Sequence, residues 1–201
     1  MDTDIILELN LPAPNSQLLD AIMRCVNAAP IDTVIKSTHE RIQGNTVNVV
    51  SRQFEKDDDE VIQLARQQYQ PFFDEEFFPV IGILRNMDKT QKYACWPPHS
   101  DRERIFGLNW YIEEGGQHVS TVFYKQMWDH LPGDGTGKIW KYSEVELDQN
   151  IHFDINKWYA LSVRRAHSIE HIENRRLIFS LSFYNITFYE FKEKYKQYIV
   201  L

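Results

Sequence analysis

The chain carries seven histidines and two cysteines in 201 residues, and its chemistry turns on which of them stand near a carboxylate. Two segments have the form His-x-Asp: His99-Ser100-Asp101 and His152-Phe153-Asp154. In extended chain, residues two apart face the same side, so such an imidazole and carboxylate can bind one metal ion from adjacent positions. A metal that activates oxygen at a face of two histidines and one carboxylate needs a second histidine, returned from a distant strand, while other positions stay open. Sixty-six residues after Asp101 comes Ala166-His167-Ser168-Ile169, with several strand-like segments between. No comparable run follows Asp154, so His152 and Asp154 read as structural. His171 is the alternative to His167, although its five-residue spacing to Arg176 leaves little room for a hairpin.

Arg176 heads the run Arg-Leu-Ile-Phe-Ser-Leu-Ser-Phe. Alternation puts Leu177, Phe179, Leu181 and Phe183 on one face of this strand and Arg176, Ile178, Ser180 and Ser182 on the other. A fixed positive charge beside two hydroxyls suits the interior of a small-ligand site. The planar guanidinium matches a carboxylate, so Arg176 is placed to hold a dicarboxylate by its far end. Arg175 falls on the apolar parity and is the second choice.

The elements that must position these residues show as a change in hydrophobic period. Leu18, Leu19, Ile22, Met23 and Val26 recur at helical spacing behind a cap at Asn15 or Ser16. Val34-Ile35 and Val47–Val50 suggest a hairpin around Gly44-Asn45. A second helix starts in the acidic run Asp57–Glu60, whose charges suit the positive end of a helix dipole, and carries Val61, Leu64, Ala65 and Tyr69. Short β-rich segments follow: Val80–Leu84, Tyr93–Trp96, Ile105–Ile112, Val119–Tyr124, Ile139–Tyr142, Trp158–Val163 and Arg176–Phe183. Gly115-Gly116 is expected to join two of them as a hairpin. Strands without intervening helices predict an antiparallel sandwich or jelly roll. Thr187 and Glu190 have capping-box spacing ahead of a C-terminal helix.

Composition narrows the function classes. The charge balance is 22 basic against 29 acidic residues, net −7, which argues against broad phosphate-backbone binding and makes a nucleic-acid partner unexpected. Cys25 and Cys95 form no disulfide framework and read as reduced thiols. The acidic start and the lack of a long apolar run predict a cytoplasmic chain with no membrane segment. Gly133–Lys138 lacks the spacing of a phosphate loop, and Asn185-Ile186-Thr187 is a glycosylation sequon in form only. Arg102, Glu103 and Arg104 read as a solvated loop or a substrate-facing rim. The five tryptophans read as core or pocket lining.

Over residues 79–186 the sequence resembles the Fe(II)- and 2-oxoglutarate-dependent oxygenases of the double-stranded β-helix fold, prolyl-hydroxylase-like. The resemblance is carried by His99-x-Asp101, His167-Ser168-Ile169 and Arg176, framed by Ala94–Pro98, Leu108–Ile112 and Gly115-Gly116. It implies a mainly β, α+β single domain over 1–201. Within it, 1–78 form a helical and hairpin cover on one sheet, 79–186 a jelly-roll or cupin-like core, and 187–201 a short C-terminal helix. It also implies that His99, Asp101 and His167 hold Fe(II), and that Arg176 pairs with the distal carboxylate of 2-oxoglutarate, helped by Ser180 or Tyr111. The implied outcome is hydroxylation of a small-molecule or peptide substrate with release of succinate and CO2. A cupin-like or inactive jelly roll that only binds a ligand, or serves as an interaction surface, is the alternative. Neither substrate nor oligomeric state is legible.

Overall fold

The computed structural model describes residues 5–28, 47–53, 59–86, 92–101, 105–128 and 140–200. The expected strand at Val34-Ile35, the Gly44-Asn45 turn, the Arg102–Arg104 rim and the Gly133–Lys138 loop lie outside these residues.

Among the described residues ten strands pair antiparallel: β1 (Ile6–Leu9), β2 (Val47–Gln53), β3 (Phe77–Asn86), β4 (Ala94–His99), β5 (Phe106–Glu114), β6 (Ser120–Trp128), β7 (Leu147–Ile151), β8 (Trp158–Leu161), β9 (Arg165–Ile172) and β10 (Arg176–Phe183). The pairing is nested: β3 with β10, β4 with β9, β5 with β8 and β6 with β7. That is one long hairpin, rolled up by the further pairs β5 with β10 and β6 with β9. The rolled hairpin forms two sheets, ordered β1-β8-β5-β10-β3-β2 and β4-β9-β6-β7. Such a path is a jelly roll, the double-stranded β-helix expected from the sequence.

Two expectations need correction. Gly115-Gly116 does not close a hairpin, because β5 lies in the large sheet and β6 in the small one. It is an arch between sheets, with φ of 97° and 136°, values open to glycine. The Gly115 carbonyl accepts the amides of Glu173 and Asn174, which fastens this arch to the one joining β9 and β10. Alternation marks where a strand stops, not which sheet the next one joins. Second, the strand expected over Ile139–Tyr142 is not found among its described residues, Trp140–Tyr142. Tyr142–Glu144 is a 3-10 turn, and the strand is Leu147–Ile151, whose Leu-Asp-Gln-Asn-Ile at the sheet edge has no apolar alternation to announce it.

The helices pack on the large sheet. Helix α1 (Ser16–Ala28) is capped by Asn15, whose Oδ1 accepts from the Leu18 amide at 2.9 Å. Helix α2 (Glu60–Tyr69) is capped by Asp59, and α3 (Phe188–Lys194) by the Thr187–Glu190 box. Leu18, Ile22, Val61 and Tyr69 bury themselves with Leu177, Phe179, Leu181 and Phe183, the predicted apolar face of β10. Full burial of each such Leu or Phe contributes about 1.5–3 kcal/mol. A second cluster, including Leu84, Tyr111, Phe123, Leu161, Ile169 and Ile178, fills the space between the sheets. Among the described residues no helix is long and apolar enough to cross a membrane.

Candidate metal centre

The site begins with an irregular edge strand. In β4, Trp96 pairs with Ile169 and His99 with His167, so three steps on β4 match two on β9. The extra residue is a β-bulge, and it turns His99 to the same side as Trp96. Pro97 and Pro98, which lack ladder donors, are tolerated because β4 is an edge. A bulge of opposite sense follows on β9, where Ala94 pairs with Ile172 before Trp96 pairs with Ile169. Within it His171 adopts φ 56°. His171 is exposed and sets its ring against Tyr93, with centroids 5.2 Å apart.

These irregularities bring His99, Asp101 and His167 together, with one ligand atom from each lying within 4.8 Å of the others. His171 is not among them. The Asp101 Oδ1 lies 3.7 Å from His99 Nε2 and 3.9 Å from His167 Nε2, too long for hydrogen bonds. Each imidazole is oriented from behind: His99 Nδ1 lies 2.8 Å from the Pro97 carbonyl and His167 Nδ1 2.9 Å from that of Arg165. A carbonyl only accepts, so Nδ1 carries the proton and the Nε2 lone pair faces Asp101. The Asp101 amide donates to the Val163 carbonyl at 3.0 Å. Trp96 stacks on His99 at 4.6 Å and Phe123 on His167 at 5.7 Å. The histidine side chains are 8% and 9% exposed, Asp101 17%. Two imidazole nitrogens and a carboxylate, converged and nearly dry, suit a divalent transition metal.

Arg176 lies between the sheets at 2% exposure. Its Nη2 donates to Thr121 Oγ1 at 3.1 Å across the barrel, and its guanidinium sits 4.9 Å from the centre of the Tyr111 ring. Nε and Nη1 have no hydrogen-bond partner. Burial pulls its pKa below the ordinary arginine value, opposed chiefly by Tyr111. A buried guanidinium with two unmet nitrogens fits a carboxylate. Ser180 donates to Asn109 Oδ1 at 2.6 Å. It stands four residues from Arg176, about 13 Å along a strand, so the two side chains serve different parts of the interior. Arg175 turns to the other face and forms a two-point ion pair with Glu113, Nε to Oε2 at 2.6 Å. His152 Nδ1 donates to the Val119 carbonyl at 2.8 Å, and Asp154 pairs with Lys157, the structural roles expected.

Thr121, Asn109 and Phe123 were not singled out by sequence. Alternation in Ser-Thr-Val-Phe gives Thr121 and Phe123 a common face, but only the fold shows that Arg176 faces Thr121 from the other sheet and that His167 pairs beside Phe123 on β9.

Fold and site together define a jelly roll with a buried centre of two histidines and one carboxylate, and an arginine on its last strand. No family sequence model matches the chain, and no characterised protein matches it by sequence. Comparison with solved structures returns similar chains at low identity. A prolyl-4-hydroxylase of Pseudomonas putida is 16% identical, with 90% of this chain and 91% of that one covered at a TM-score of 0.45. A viral collagen prolyl hydroxylase from Paramecium Bursaria Chlorella virus-1, solved as a 2OG complex, is 12% identical over 92% and 98%, TM-score 0.48. A 2OG-Fe(II) oxygenase family oxidoreductase from Burkholderia pseudomallei is 9% identical over 90% and 96%, TM-score 0.38.

Proposed function

We propose that the protein is an Fe(II)- and 2-oxoglutarate-dependent dioxygenase that hydroxylates a small-molecule or peptide substrate, with release of succinate and CO2. The observation that carries this reading is Arg176, a buried guanidinium with unmet Nε and Nη1 in the same barrel as a converged His-Asp-His set. A jelly roll that merely packs, or one that binds only a metal, has no use for that charge. Leaving Nε and Nη1 unmet costs about 1–3 kcal/mol.

His99, Asp101 and His167 would hold the iron, which when bound supplies the oxygen chemistry that protein side chains cannot. Arg176 binds the distal carboxylate, with Thr121 holding the guanidinium fork and Tyr111 covering its face. Ser180, bonded to Asn109, lies further along the strand and adds to the polar lining of the interior. Trp96 and Phe123 keep the imidazole planes in place and exclude water from the ligand face.

An anaerobic titration tests the proposal: 2-oxoglutarate binds only when Fe(II) or Mn(II) is present, and admitting oxygen yields succinate. Absence of metal-dependent binding from micromolar to millimolar concentration sinks it.

A further inference from the structure

The turn between β8 and β9 holds two of the three metal-site residues. Through the Val163 carbonyl it suspends the Asp101 backbone, and through the Arg165 carbonyl it orients the His167 ring. Arg165 also closes the turn, its amide donating to the Ser162 carbonyl at 3.2 Å. The placement of this turn therefore sets the distance between an imidazole and the carboxylate.

Its side chain is tied down in turn. Arg165 is 8% exposed. Its Nε donates to the Tyr124 carbonyl at 2.8 Å and its Nη2 forms an ion pair with Asp148. Both partners sit at breaks in the sheet. Between Phe123 and Trp128 the β6 strand takes five steps while β9 takes two, so the ladder is interrupted where Tyr124 offers its carbonyl. On β7 the register slips between Gln149 and Leu147, leaving Asp148 as the extra residue of a bulge. Bulges of this kind re-aim a side chain beside a functional site. Here two of them direct a carbonyl and a carboxylate at one guanidinium.

We infer that Arg165, held by Asp148, is a positioning pair for the metal centre: it locks the β8–β9 turn to β6 and β7, and thereby the mutual geometry of His167 and Asp101. The inference rests on the metal reading above. Groups that orient ligands from behind typically change metal affinity ten- to a hundredfold when removed, by about that factor across known sites.

The test uses Co(II), whose visible spectrum reports ligand geometry, with the full chain and no oxygen chemistry. R165Q is expected to weaken Co(II) about ten- to hundredfold and to alter the spectrum. D148N should do the same to a smaller extent, and D148E should restore part of the loss. R175Q is the control, since it breaks a comparable ion pair, Arg175–Glu113, away from the centre. It should lower thermal stability and leave Co(II) affinity unchanged. Wild-type affinity and spectrum in both R165Q and D148N would overturn the inference, as would an equal loss in R175Q. If the wild-type chain binds no Co(II), the metal reading itself fails and this inference falls with it. Should R165Q fail to fold, D148N and D148E decide.

Discussion

Asp101 differs from the two histidines in how it is held. Each imidazole is backed by a carbonyl and a stacked ring, whereas the Asp101 backbone is tied through its amide to the Val163 carbonyl. Asp101→Ala removes the only anionic member of the set and is predicted to abolish metal-dependent 2-oxoglutarate binding, read by anaerobic titration. His152→Ala, in the other His-x-Asp segment, should bind as the wild type does. The outcome would be reversed if the second pair were the metal pair. At Arg176 the expectation is a split. Arg176→Ala should retain the metal and lose co-substrate affinity by about a hundredfold, since charge-assisted bonds contribute about 1.5–3 kcal/mol each. Deleting the cation also removes a buried, underpaired charge, so thermal stability should fall little. Equal loss of metal and co-substrate would show that Arg176 acts on the fold and not on the ligand.

The arch at Gly115 links the elements to that charge. A Cβ built there would meet Arg176 Cβ at 2.8 Å, with φ at +97° adding backbone strain. Gly115→Ala should therefore destabilise by about 1–3 kcal/mol and weaken 2-oxoglutarate more than metal, measured by thermal melting beside the two titrations. Nothing in a Gly-Gly pair announces this coupling, because it arises between an arch after β5 and the head of β10. The same limit explains what was and was not legible. The faces of β10 were readable, since alternation in Arg-Leu-Ile-Phe-Ser-Leu-Ser-Phe is a local property. So were the caps at Asn15 and Thr187, which act within one turn. That His99, Asp101 and His167 could converge was readable from residue type and order. The bulges that aim His99 and Asp148 were not, because a register slip is a relation between two strands. Thr121 opposite Arg176 and the sheet-switching role of Gly115-Gly116 were hidden for the same reason, and β7 escaped because an exposed edge strand needs no apolar face.

At the scale of the molecule, β10 divides two kinds of work. Its outward row joins α1, α2 and α3 in the cluster containing Phe73, Phe77, Phe106 and Phe191, which has no ionisable group at the metal centre among its members. Its inward row joins the inter-sheet cluster, with Tyr111, Phe123 and Ile169 around the site. Stability and chemistry are thus separable by substituting neighbours on one strand. Phe179 is fully buried against the helices and Ile178 is 8% exposed between the sheets. Phe179→Ala should cost about 3–5 kcal/mol in urea unfolding, because the rigid helix–sheet layer cannot collapse around the void. Its remaining folded population should bind metal and 2-oxoglutarate normally. Ile178→Ala should cost less, about 2–4 kcal/mol within the usual range for Ile→Ala, yet weaken 2-oxoglutarate, since the cavity it opens lies beside Tyr111 and Arg176. If both variants lost co-substrate affinity in proportion to stability, the two layers would not be energetically distinct. The large sheet would then transmit helix packing to the site, and the helical cover would have to be counted as part of the functional unit.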